Sequence, residues 1–196
     1  MKSIVVLFCL YLGICTGTWA KAASKSDDHQ YTTPPYWLDT TTTPGSRCTG
    51  VFEEVGNHCI FVDKDLSGTW QDMRDVCHVL GGDLVNLQDA NFLADIEDYL
   101  YNFGHSGVTY WVGSNDQVTE GVWQWINDHS QVKLGTPLWG DLSSKIQEPT
   151  GGSAENCGVL FHGDHYFMHD TSCSVSYSLI CEQYSKLLTI ILITAY

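Results

Sequence analysis

The sequence predicts an α+β domain held together by disulfides, and three observations carry that prediction. Six cysteines remain after an export-type leader, two apolar stripes recur at helical spacing, and short turn-bounded apolar runs stand on either side of the stripes. Residues 1–20 read as a signal peptide. Lys2 supplies the positive start, Ile4 to Ile14 is an apolar stretch too short to span a bilayer, and Thr18 and Ala20 form a small-residue cleavage site. A buried helix at the start of the domain is the competing reading. It finds nothing to pack against in residues 21–46, where Pro34, Pro35, Pro44 and the run Thr40 to Thr43 read as a linker, with threonines suited to O-linked sugars.

Export decides how the cysteines are read. Cys9 and Cys15 leave with the leader, and an even set remains: Cys48, Cys59, Cys77, Cys157, Cys173 and Cys181. In an oxidising compartment that set implies disulfides, and the long irregular spacings lack the paired CxxC units of a structural zinc site. Six cysteines allow about fifteen pairings, among which the sequence alone does not choose. The net charge is −14, and −15 once Lys2 is removed. So acidic a chain excludes a phosphate-backbone partner, which calls for clustered Lys and Arg, and suits an extracellular protein or one that holds divalent cations. No Asn-x-Ser/Thr sequon follows the leader.

Along the chain, Phe52, Val55, Cys59, Phe61 and Val62 predict two short strands with Gly56-Asn57 between them. Trp70, Met73, Cys77 and Leu80 share one helical face, introduced by Ser67 and Thr69 and stopped at Gly81-Gly82. Phe92, Leu93, Ile96, Leu100 and Phe103 form a second helical face, with Asp89 as its cap and Gly104 at its end. Both stripes are core. From Ser114 to Glu155 the chain is long, aperiodic and polar, yet Trp123, Trp125 and Trp139 need burial, so an ordered loop region is expected. Gly158 to Phe161 and Tyr166 to Met168 then read as a hairpin around Gly163-Asp164, and Tyr177 to Cys181 as a last strand.

In this order the motifs resemble the C-type lectin-like family. They are Trp70…Cys77, Gly81-Gly82-Asp83-Leu84-Val85, Tyr110-Trp111-Val112-Gly113, Glu120 to Trp125, Glu148-Pro149-Thr150, Glu155-Asn156-Cys157-Gly158-Val159, Asp170…Cys173 and Ile180-Cys181-Glu182. The resemblance implies the C-type lectin-like fold over residues 47–183, with two helices, small antiparallel sheets and a long ordered loop region, followed by a tail at 184–196. It also implies the pairs Cys77–Cys181, Cys157–Cys173 and Cys48–Cys59, the last marking the long form of the domain.

The same resemblance implies a function: a secreted, calcium-dependent, carbohydrate-binding lectin. Ca²⁺ takes six to eight oxygens, and vicinal sugar hydroxyls complete its shell. Carried onto this chain, the sugar-binding positions are Glu148, Thr150, Glu155, His169 and Asp170, of which Glu148, Glu155 and Asp170 would hold the ion. Thr150 and His169 stand where Asn or Asp and Asn are usual, and Met168 where Trp is usual. An imidazole is a poor ligand for a hard cation, so weak calcium binding is expected. Glutamate before the proline points to a mannose-type preference. Asp116 and Glu120 match an auxiliary Ca²⁺ site whose other positions hold Gly151 and Asn156.

Such proteins resemble pattern-recognition lectins of innate immunity, which implies glycans, microbial surface sugars among them, as partners. The rival is a module that has lost calcium and sugar and binds a protein ligand. An enzyme is not expected. His162, His165 and His169 stand beside Asp164 and Asp170, a set able to bind Zn²⁺ or serve as a base, but no nucleophile elbow, HExxH or phosphate loop accompanies them. Single sugar sites bind weakly, so association into oligomers would add avidity, though no coiled coil is visible. Leu187 to Tyr196 is apolar but half the length of a spanning helix, so the chain is not expected to cross a membrane; the segment reads either as an added edge strand or as an association hazard.

Overall fold

In the computed structural model, residues 47–88, 90–142 and 146–184 are described. The leader, the linker, Asp89 and the apolar tail from Leu187 lie outside them. Two N-terminal strands form as expected, but the second is much longer than the apolar pattern indicates: β1 is Glu53–Val55 and β2 is His58–Gly68. β2 grows because its partner β10, Tyr177–Gln183, pairs along nearly its whole length, from Glu182 against Ile60 to Tyr177 against Gly68. Ser67 is therefore strand, and Thr69 alone caps helix α1, Trp70–Leu80. Its hydroxyl accepts from the Asp72 amide at 3.2 Å while the Asp72 carboxylate accepts from the Thr69 amide at 3.2 Å, a reciprocal capping box. Gly81 ends the helix in the left-handed region at φ 90°, where a side chain would be strained.

Instead of a simple stop, Gly82–Leu84 forms strand β3 against β10. Helix α2, Ala90–Asn102, buries Phe92, Leu93, Ile96 and Leu100. Phe103 is a correction to the expected stripe. It lies one residue past the helix, is 65% exposed, and stacks on Tyr99. The helical period holds only while the helix continues.

β4 is Tyr110–Asn115, β5 Gln124–Trp125, β6 Asp141–Leu142, β7 Ile146–Gln147, β8 Cys157–Leu160 and β9 Met168–Thr171. The main sheet runs β1-β2-β10-β4-β8-β9, with β3 added to β10 and β5 to β4; β6 and β7 pair separately. β10 and β4 are parallel and the other pairs antiparallel. The predicted C-terminal hairpin is β8–β9, but its turn contains a single 3-10 turn at His162–Asp164 and its second strand starts only at Met168. Tyr166 is instead a buried core residue.

One core cluster joins Trp70, Met73 and Cys77 of α1 to Trp111, Val159 and Leu179 of the sheet. The other joins α2 to Tyr110, Val112, Ile180 and the loop tryptophans Trp123, Trp125 and Trp139. All three pairs implied by the resemblance are present: Cys48–Cys59, Cys77–Cys181 and Cys157–Cys173. Among the described residues, no helix is long and apolar enough to cross a membrane.

Candidate functional site

The loop region from Ser114 is ordered around its indoles. Trp123 and Trp139 meet edge to face at 4.9 Å, and the Trp139 indole N–H donates to the Lys133 carbonyl at 3.1 Å. The Trp139 and Gly140 carbonyls in turn accept from the Gln147 side chain, and the Glu148 amide donates to the Gly140 carbonyl at 3.0 Å. These bonds carry the chain into Glu148–Pro149, which is cis. Buried tryptophans thus set where Glu148 sits.

Glu148 is 4% exposed and meets the end of β9. The Thr150 hydroxyl donates to its Oε2 at 3.0 Å, and His169 Nδ1 lies 3.4 Å from its Oε1. The other ring nitrogen of His169, Nε2, is 3.0 Å from Asp164 Oδ2. Gly140 makes this pair possible, because a Cβ there would collide with Asp164 and His169. Asp170, the next residue, accepts from the Thr150 amide through Oδ1 at 2.9 Å and from the Gly151 amide through Oδ2 at 2.7 Å. Glu155 packs over Gly151, where a Cβ would overlap its side chain.

The five residues expected at the sugar site are therefore brought together, from two loops and one strand. Their carboxyls hold protons more tightly than usual at Glu148 and Glu155. Burial first, then the adjoining Asp170 carboxyl and the charge on Glu155, push Glu148 up to about 7 against the opposing bond from Thr150. Burial and the Asp170 charge also raise Glu155. Among the described residues the Lys and Arg ion pairs lie elsewhere, at Arg47–Glu54, Lys64–Asp65 and Arg74–Asp83.

The donor set matches calcium in kind, being carboxylate oxygens that burial and mutual repulsion leave short of positive charge. In placement the match is incomplete. Both Asp170 oxygens are taken by amides, and among the described residues no three His, Cys, Asp or Glu side chains are gathered as an ion's ligands. The zinc grouping considered from sequence is dispersed: His162 Nδ1 meets the Thr109 hydroxyl at 3.0 Å, while His169 faces Glu148 and Asp164.

Asp116 and Glu120 border a separate cavity of about 150 Å³, which Asp170 and Pro149 share with the site above. Asp116 is 4% exposed; its Oδ2 accepts from the Gly121 amide at 2.8 Å, and its Oδ1 has no partner among the described residues. Trp123 and Leu134 wall the same cavity. Sequence reasoning missed Gly140 and Leu134 as contributors. Neither carries a local signal, since each matters only through partners distant along the chain.

A family model described as the lectin C-type domain matches residues 67–183. The human C-type mannose receptor 2 is 27% identical over 137 residues, covering 67% of this chain but only 8% of the receptor. A perlucin-like protein of Mytilus galloprovincialis is 26% identical over 135 residues, covering 65% of this chain and 77% of that protein. Among solved structures, the C-type lectin CEL-I from Cucumaria echinata superposes with a TM-score of 0.58 at 23% identity, over 72% of this chain and all of that one. A calcium-independent type II antifreeze protein superposes with a TM-score of 0.54 at 18% identity, over 69% of this chain and 92% of that one. At such identities the structural likeness speaks to the fold alone.

Proposed function

This chain belongs to the C-type lectin domain family, and from that premise we propose that it is a secreted, calcium-dependent carbohydrate-binding lectin whose site is Glu148, Thr150, Glu155, His169 and Asp170. One observation carries the reading: buried Glu148 and Asp170 and half-buried Glu155 lie close together with no Lys or Arg of the described residues paired to them, and burial, then their neighbouring charges, raises Glu148 and Glu155. Such an arrangement is costly unless a cation or a hydrogen-bonding ligand enters it. Glu148, Glu155 and Asp170 would hold Ca²⁺, which when bound supplies coordination to vicinal sugar hydroxyls. The chain's own part is recognition. Glu148 and Glu155 accept from sugar hydroxyls, the Thr150 hydroxyl and the His169 ring border them, and Asp170 fixes the 150–151 loop through its two amide bonds. Microbial surface glycans, and with them a role in innate immunity, are the ligand class we propose.

A second reading, calcium-free binding of a protein ligand, is favoured by the same Asp170 bonds and by the His169 ring standing between Glu148 and Asp164. Calorimetric titration of Ca²⁺ into the oxidised chain, with Glu148→Ala and Asp170→Ala beside it, decides between the two. Sub-millimolar binding lost in both variants, with glycan-array binding abolished by EGTA, is the expected result. No calcium heat to several millimolar, together with an empty array, would overturn it.

A further inference from the structure

The N-terminal segment joins the domain beside helix α2. Arg47, the first described residue, donates to the Gly56 carbonyl at 3.4 Å. The Asp95 carboxylate of α2 lies against Gly56, so close that a Cβ there would overlap it. From Asp95 one face of the helix leads away, with Tyr99 four residues on and Phe103 four beyond that. The Tyr99 hydroxyl donates to Glu53 Oε2 at 2.7 Å, and its ring stacks on Phe103 at 4.8 Å and on His105 at 5.7 Å. Phe103 is thus held in place by Tyr99 and yet is 65% exposed. A ring fixed in this way offers a surface for one more, since aromatic pairs gain about 0.5–1.5 kcal/mol beyond burial of their area.

Two apolar stretches after the leader lie outside the described residues, Tyr36-Trp37-Leu38 and Leu187 to Tyr196, and they join the domain at different places. The second follows Tyr184, whose amide donates to the Gly81 carbonyl at the end of α1. The first precedes Arg47, and so starts from the Gly56–Asp95 contact, at the foot of the stripe that ends in Phe103. Trp37 stands ten residues before Arg47. A flexible coil of that length spans about 17 Å and a fully extended one about 33 Å. From Asp95 to Phe103 is eight residues of helix, about 12 Å. The segment's reach therefore matches the distance it has to cover, the condition under which a tethered contact is strongest.

We infer that Tyr36-Trp37 docks on the Phe103 end of α2 in its own chain, lengthening the ring stack and tethering the threonine-rich segment along the helix. The test uses the oxidised full chain with Phe103→p-benzoylphenylalanine, as an equal mixture of isotopically light and heavy protein. After irradiation, mass spectrometry should find residue 103 joined to the tryptic peptide 26–47, which carries Tyr36 and Trp37, within one isotope class only. Chymotrypsin supplies a second readout. Phe103→Ala, an exposed position that spares the core, should speed cleavage after Trp37 by about three- to tenfold, the worth of one ring pair, and leave cleavage after Tyr31 unchanged. Adducts between light and heavy protein would assign the surface to a second copy, and adducts to residues 187–196 would assign it to the tail; either overturns the inference. So does the lack of any adduct to residues 26–47, or cleavage after Trp37 at one rate in both proteins.

Discussion

Replacing Glu148 by Gln in the calcium-free protein should make it more stable at neutral pH. Glu148 is 4% exposed, faces Asp170, Glu155, His169 and the Thr150 hydroxyl, and is raised from an ordinary 4.5 to about 7. The folded state thus binds a proton more tightly than the unfolded chain. Stability from this group is at its fullest below about 4.5, falls as pH rises toward 7, and is level above that. A displacement of that size corresponds to roughly 3 kcal/mol. Relaxation and solvent screening around the loop discount part of it, so a gain of about 1–3 kcal/mol is expected for Glu148→Gln at pH 7.5. The assay is urea unfolding followed by tryptophan fluorescence, in EGTA with the disulfides intact, from pH 4.5 to 8. The wild type should lose stability across that range while the variant changes less, and the two should converge at the acid end. Calcium should narrow that gap at pH 7.5, since an ion at ten times its Kd adds about 1.4 kcal/mol to the wild type alone. A variant less stable than wild type at pH 7.5 in EGTA, with an unchanged pH profile, would refute the account of Glu148 as a buried, repelled carboxylate.

Two further outcomes follow from the loop and the sheet. Trp139→Ala should cost about 3–5 kcal/mol by cavity formation beside Trp123, and Trp139→Phe less; urea midpoints measure the loss, and proteolysis within 114–155 should accelerate with it. Removing the Cys77–Cys181 bridge by a double alanine substitution opens a closure 104 residues apart in sequence, for which chain entropy predicts about 4–5 kcal/mol; a loss under 1 kcal/mol in the same assay would contradict it.

Much of this domain could be read before any coordinates. Helix α1 was legible because its apolar period and the Thr69–Asp72 capping box are both local, and local rules act within one turn of chain. The proposed site residues come from the resemblance, which supplies long-range order that periodicity does not. What escaped was decided at a distance. β3 and β5 are two or three residues long and exist only because β10 and β4 offer them hydrogen bonds. β2 outran its apolar pattern for the same reason, and Phe103 fell out of the core because the helix ended before it. The residues in chain order carry the oxidised cysteines, both helices and the acidic character, while the candidate ligands are named by resemblance. Folding in three dimensions turns Asp170 to the 150–151 amides, leaves room at Gly140 for His169 against Asp164, and sets Asp116, Trp123, Leu134 and Pro149 around one open cavity. The physical reason is that charge, hydrogen bonding and packing are set by distance through space, and residues far apart in the chain become neighbours only once the fold has closed.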